Sequence, residues 1–185
     1  MHILVVFTGG TIGSSVMDGC IAPDAGKGYR LLEYYETVCA KEFLPDDYEF
    51  VTAEPFRILS ENMNCKTVLQ LIDELKRQTA QQEYDGIIVC HGTDTLQYTA
   101  AMTGYCFGVS SVPIVFVSSN YVLEDERANG LDNFAAAVSF IVRKAGRGVF
   151  VAYKNTGDLA RIHRASRVLP HLPYSDDIVS LMGVE

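Results

Sequence analysis

The chain has 185 residues, 48% of them hydrophobic and 21% charged. That is globular composition; it excludes disorder and fibres and suits one domain with a sizeable core. Fifteen Lys and Arg against 23 Asp and Glu leave a formal charge of −8, a surface that repels phosphate backbones and so excludes nucleic acid as a partner. No run approaches the ~18 apolar residues of a membrane span, and the opening segment has neither the basic flank nor the cleavage site of a signal peptide. No membrane association is expected, and the expected setting is the cytoplasm.

In chain order, strands are expected at His2–Phe7, Tyr48–Ala53, Gly86–Cys90, Pro113–Ser118 and Gly148–Tyr153. Helical spacing joins Leu31, Leu32, Tyr35, Val38 and Cys39, and again Val68, Leu69, Ile72 and Leu75; two more helices are expected at Thr95–Phe107 and Leu131–Ala145. The runs ILVVF, IIVC and IVFV are continuously apolar, as in strands covered on both faces of a parallel sheet. The alternation of strand and helix predicts an α/β fold: a single open, doubly wound (Rossmann-like) domain, mainly parallel, with helices on both faces. In such a sheet ligands bind beyond the carboxyl ends of the strands, which directs attention to the turns there.

After the first strand comes Thr8-Gly9-Gly10-Thr11-Ile12-Gly13. Its glycines permit a tight turn and close backbone approach, and Thr11 presents a hydroxyl. The run is neither G-x-G-x-x-G nor a Walker loop, and alone it reads as an ordinary strand exit. After the third strand comes His91-Gly92-Thr93-Asp94-Thr95, where Thr93, Asp94 and Thr95 all suit a helix N-cap and an acid is stabilised by the helix dipole. Taken together, two hydroxyl-bearing glycine turns on one parallel sheet suggest a shared cleft and acyl transfer by a threonine, which needs a base and an oxyanion site.

The five cysteines, Cys20, Cys39, Cys65, Cys90 and Cys106, are odd in number and contain no C-x-x-C pair, which predicts reduced thiols. The four histidines lack H-x-x-x-H spacing, so neither a metal nor a cofactor is expected.

TGGTIG followed some eighty residues later by CHGTDTLQYTA resembles the L-asparaginase family, particularly its cytoplasmic bacterial type. Ser60-Glu61-Asn62 is similar to the family's substrate-binding serine and its neighbour, Arg127-Ala128-Asn129-Gly130 to its R-S-D-G, and Arg161–Arg164 to its R-T-T-K. The resemblance spans residues 1–185 as the family's N-terminal domain, with the chain stopping near Met182-Gly183, where the linker to a smaller C-terminal domain is expected. It implies hydrolysis of L-asparagine to L-aspartate and ammonia without metal or organic cofactor, in a homodimer or higher homo-oligomer. By carry-over, Thr11 attacks the amide to give an acyl-enzyme, and Thr93, Asp94 and a lysine assist proton transfer. Asp94, Ser60 and Glu61 hold the ends of the substrate, and Gly10 and Gly92 offer backbone donors.

The family's lysine position matches Arg164, whose guanidinium cannot act as a base but would orient Asp94 or stabilise negative charge. The family's loop tyrosine matches Cys20, with Tyr29 close in sequence. Asn120 stands where the family has a glycine, a small residue and a proline; it either faces the substrate amide or caps a loop. Two alternatives to the asparaginase reading stay open: a domain that only binds an amino acid, and an amidohydrolase of shifted substrate choice.

Overall fold

The computed structural model describes residues 1–17, 20–23, 27–39 and 44–181, with backbone alone for 15–17, 20–23 and 27–29. Met182 and Gly183 lie outside the described residues, as do the side chains of Cys20 and Tyr29. The strands are β1 (His2–Phe7), β2 (Ser14–Met17), β3 (Cys20–Pro23), β4 (Glu49–Ala53), β5 (Gly86–Cys90), β6 (Pro113–Val117), β7 (Gly148–Lys154) and β8 (Ala160–Arg164). The helices are α1 (Lys27–Val38), α2 (Cys65–Gln81), α3 (Leu96–Phe107) and α4 (Gly130–Val142).

The apolar runs form the centre of a six-stranded sheet in the order β4-β1-β5-β6-β7-β8. Neighbours from β4 to β7 are parallel, and β8 is antiparallel to β7. Every residue of β5 and β6 is buried, because side chains leaving both faces meet helices. On one face Ile3, Val5, Ile88 and Val115 pack with Leu31 and Tyr35 of α1 and Phe134, Val138 and Ile141 of α4. On the other, Leu4, Val6, Ile87 and Phe116 pack with Leu71 and Leu75 of α2 and Leu96 and Ala100 of α3. The sheet is therefore mixed and doubly wound, as the apolar runs predict.

Strand order carries the chain from β1 outward to β4 and then back across to β5, with α1 and α3 on opposite faces. The exits of β1 and β5 thus part at a topological switch point, where sheets of this kind leave a crevice.

Three features of the elements are not foreseen from the sequence. Val38 is 70% exposed and Leu69 51% exposed, so each lies at the edge of its helix's apolar stripe rather than in the core. The short hairpin of β2 and β3 follows the first glycine turn. Residues 160–164 form β8, an edge strand, where a site segment is expected.

Candidate active site

Two glycine turns and one serine build the crevice. Gly9 and Gly10 have φ of 102° and 73°, values that side chains with a Cβ rarely adopt. A Cβ on Gly10 would enter the backbone of Gly92, and one on Gly92 would enter the side chain of Ser60. The turns after β1 and β5 therefore meet backbone to backbone, bringing Thr11 and Thr93, the next residues in each, to the same crevice; both are half-buried.

Beyond β4 the chain continues beside the first turn. Ile58 N–H donates to Thr8 O (3.1 Å) and Gly10 N–H to Ile58 O (2.9 Å), which delivers Ser60 to the crevice. Ser60 Oγ donates to Asp94 Oδ2 (2.6 Å) and accepts from Asp94 N–H (3.2 Å), while Thr95 Oγ1 donates to Ser60 O (2.9 Å). Thr95 is the N-cap of α3 by position but makes no side-chain cap bond; its hydroxyl is spent on Ser60. Glu61 is exposed on the turn at Ser60–Asn62.

The expectation of a backbone donor at Gly10 is corrected, since that N–H is taken by Ile58. Gly92 and Thr93 N–H donate to no group among the described residues, so both can donate to an oxygen of a ligand in the crevice.

Arg164 is a larger correction. It pairs in register with Phe150, near the start of β7, whereas Ala160 pairs with Lys154 at the end. Because β8 runs against its neighbours, Arg164 lies at the opposite end of the sheet from Thr11, Thr93 and Asp94. Its guanidinium sits 5.0 Å over the Phe150 ring, a cation–π contact, so it neither orients Asp94 nor substitutes for a lysine. Asn120 resolves toward the capping alternative: its Oδ1 accepts from Tyr121 and Asn129 N–H, and its own N–H donates to Asn129 Oδ1, all at 3.0 Å. It lines a neighbouring polar cavity of about 340 Å³ with Arg127 and Lys154.

What faces Thr93 and Asp94 instead is the segment after β8. Leu169 N–H donates to Val179 O and Leu181 N–H to Arg167 O (both 2.9 Å), closing a loop that is tied to β7 by Tyr153 Oη donating to Asp176 O (2.8 Å) and by Asn155. The loop brings Pro170, His171 and Asp176 to the far wall of a cavity of about 310 Å³ whose near wall includes Thr93 and Asp94. None of the residues lining it is a lysine. Sequence reasoning passed over Pro170 and His171; their one signal is a polar, proline-rich stretch directly after β8.

Beneath the crevice, His91 Nδ1 lies 2.8 Å from Gly92 O, and the ring packs edge-on to Phe116. Burial drives this imidazole down to about 4, against a weaker upward pull from Gly92 O and Asp94. His91 is therefore neutral at physiological pH and supports the turn from below. Burial likewise raises the Cys90 thiol, and Cys65, Cys90 and Cys106 are free thiols. Among the described residues no group of three or more His, Cys, Asp or Glu is placed to hold a metal, and no helix is long and apolar enough to cross a membrane.

Fold and site together define an open α/β domain with a crevice at its switch point, lined by threonine hydroxyls, a serine and one carboxylate. A family model for the N-terminal region of asparaginases matches residues 2–170, and the chain belongs to the asparaginase family. It is 30% identical over 170 residues to a glutamyl-tRNA(Gln) amidotransferase chain from Pyrobaculum aerophilum, covering 90% of this chain and 38% of that one. To the L-asparaginase of Dirofilaria immitis it is 25% identical over 156 residues, 74% of this chain and 26% of that one. Against the solved thermostable L-asparaginase of Thermococcus kodakarensis the TM-score is 0.77 at 25% identity, covering 98% of this chain and 51% of that one. L-asparaginase I of Vibrio cholerae shares the fold with the same TM-score, 0.77, at 23% identity, covering all of this chain and 55% of that one. The chain thus spans well under half the length of the curated relatives it matches.

Proposed function

We propose that this chain is the nucleophile-bearing domain of an amidohydrolase that cleaves the side-chain amide of L-asparagine. The observation that carries the reading is the Gly10–Gly92 apposition, which puts two threonine hydroxyls at one crevice beside the Ser60–Asp94 pair. Thr11 Oγ1 attacks the amide carbon, the oxyanion is received by Gly92 and Thr93 N–H, and ammonia leaves an acyl-enzyme that water then opens. Asp94 and Glu61 hold the substrate ammonium, and the Ser60 hydroxyl holds its α-carboxylate end. The working assembly under this reading is a homodimer or higher homo-oligomer in the cytoplasm, acting on a free amino-acid amide.

The amidotransferase relatives support amide cleavage in general and leave the amide itself to experiment. A second reading, a domain that binds an amino acid without cleaving it, is favoured by Pro170 on the wall facing Thr93 and Asp94, a residue that can neither give nor take a proton. Ammonia release from L-asparagine and from L-glutamine decides among these, with Thr11→Ala and Thr93→Ala as controls. Turnover lost in both variants supports the proposal, and the two substrates identify the amide. Turnover that survives both variants overturns the threonine assignment. No turnover, with calorimetric binding of L-aspartate, leaves the binding domain.

A further inference from the structure

Helix α3 differs in chemistry from the rest of the surface. Leu96–Phe107 includes no Asp, Glu, Lys or Arg, although 21% of the chain is charged and its net charge is −8. The outer face of this helix is nevertheless turned to solvent: Tyr98 is 62% exposed and Tyr105 80%, with an exposed Met102 between them. Their spacing of i, i+4 and i+7 lines the three up as one ridge. Beside the ridge, between α2 and α3, runs a groove of about 340 Å³ walled by Met63, Val68, Leu69, Tyr98 and Met102. Among the described residues, none that lines it is charged. Tyrosine and methionine with charge depleted is the composition of an interface core, not of a solvated helix face.

We propose that ridge and groove form a two-fold interface with a second copy of this chain, each copy laying its ridge along the other's groove. A ridge directly beside a groove of the same chemistry is self-complementary, because a two-fold rotation sets each ridge against the partner's groove. Charge selects the same occupant. A second copy also carries −8, so the two repel over most of their surfaces and meet freely only where charge is absent. A basic partner is drawn instead to the acidic surface, away from this face. Area agrees as well. A whole tyrosine side chain offers about 150–250 Å², so Tyr98 and Tyr105 at these exposures present on the order of 300 Å². With Met102, Leu69 and the groove walls, that supplies about half of the ~800 Å² per partner of a standard interface. Asp73 and Lys76, at i+4 and i+7 from Leu69 on α2, continue the face as its polar rim.

The contact also borders the candidate site, and its bearing on turnover rests on the proposed amide hydrolysis. Tyr98 lines the cavity that includes Thr93 and Asp94 as well as the groove, and α3 starts at Leu96, two residues after Asp94. A copy seated on Tyr98 therefore covers one rim of that cavity.

Sedimentation velocity from about 1 to 100 µM tests the proposal, since assembly follows concentration. The expected result is a particle of twice the chain mass. Tyr105→Glu and Met102→Glu each bring like charges together at the two-fold contact, and each is expected to weaken the dimer about a hundredfold or more, with unchanged circular dichroism. Leu159→Glu, at an exposed leucine between β7 and β8, is expected to leave the dimer intact. A parent that stays monomeric at the highest concentration overturns the proposal. If that monomer binds a naphthalene-sulfonate dye and Met102→Glu abolishes the binding, the groove belongs to a small apolar ligand instead. A dimer that survives both Glu variants also overturns it, because the interface then lies elsewhere. Mass is the readout, so a chain that cleaves neither amide yet dimerises through this face loses only the function reading.

Discussion

Ser60 and Asp94, 34 residues apart in sequence, hold each other twice: the hydroxyl donates to the carboxylate and accepts from the backbone N–H of the same aspartate. One small side chain thereby fixes both the position of the acid and the start of α3. In the proposed reaction these are groups that bind the two ends of the substrate, so the crevice is ordered before any ligand arrives.

Ser60→Ala removes both bonds at once. A hydrogen bond to a charged group is worth about 1.5–3 kcal/mol when shielded, and Asp94 is exposed enough that the lower end applies. The expected outcome is a KM for the amide raised about tenfold, since ~1.4 kcal/mol is a factor of ten, with the melting temperature lowered only slightly. Steady-state kinetics and a thermal melt on the same preparation check it. An unchanged KM means that Asp94 holds its place without Ser60.

The Gly10–Gly92 contact makes a sharper claim about stability. A methyl group at residue 92 would overlap Ser60 Oγ and Cβ, whereas a methyl at Gly13 meets nothing within 4 Å. Gly92→Ala is expected to cost about 1–3 kcal/mol, the usual range for overpacking, and to abolish turnover by parting the two turns. Gly13→Ala, in the turn after β1, is expected to be neutral within ~0.5 kcal/mol. Urea unfolding of the two variants side by side is the measurement. Equal stability would mean that the turns are not held in contact.

The outcome for the central strands follows from their chemistry. ILVVF, IIVC and IVFV have no polar side, so only a sheet covered on both faces accommodates them, and the burial of β5 and β6 is complete. The turns that follow them inherit their position from the strands, which is why Thr11, Thr93 and Asp94 were legible together. Ser60 was legible only through resemblance, because its place depends on the Thr8–Ile58 bridge beyond β4. β8 carried no such signal. In Ala160–Arg164 His163 alone is buried, and nothing in ARIHR states that the strand runs antiparallel. That reversal of direction moves Arg164 to the far end of the sheet and hands the wall opposite Asp94 to Pro170 and His171. Local pattern reports that a strand exists; its direction and its neighbours are set by tertiary packing.

Arg164 therefore yields a negative expectation that the sequence alone would have reversed. Arg164→Lys puts an amine about as far from Thr93 as the guanidinium was, so turnover is expected to stay within about twofold, inside the range of surface substitutions. Arg164→Ala gives up the contact over Phe150 and is expected to cost about 0.5–1 kcal/mol. Kinetics of the first variant and unfolding of the second check these. A large rise in turnover for Arg164→Lys would restore Arg164 to the site and contradict the antiparallel register of β8.

His91 makes stability depend on pH in a direction its burial dictates. Its imidazole is lowered by burial from 6.5 to about 4 in the folded chain, while the unfolded chain keeps the ordinary value. Between those limits the unfolded state binds a proton that the native state refuses, so stability rises with pH. The contribution is fully present above pH 6.5 and drains as pH falls toward 4, on the order of 3 kcal/mol in all. Between pH 7.5 and 5.5 about 1 kcal/mol of it is expected to go. His163, lowered chiefly by its own burial and then by Arg161, acts in the same direction, so the parent protein alone does not isolate His91. His91→Gln does: whatever it costs at pH 7.5, its unfolding free energy is expected to fall less steeply than the parent's over that range. Urea midpoints at pH 7.5, 6.5 and 5.5 for both proteins give the two slopes. Parallel slopes would mean that His91 takes up its proton while still folded, by a local opening of the turn at Gly92 that exposes the floor of the crevice.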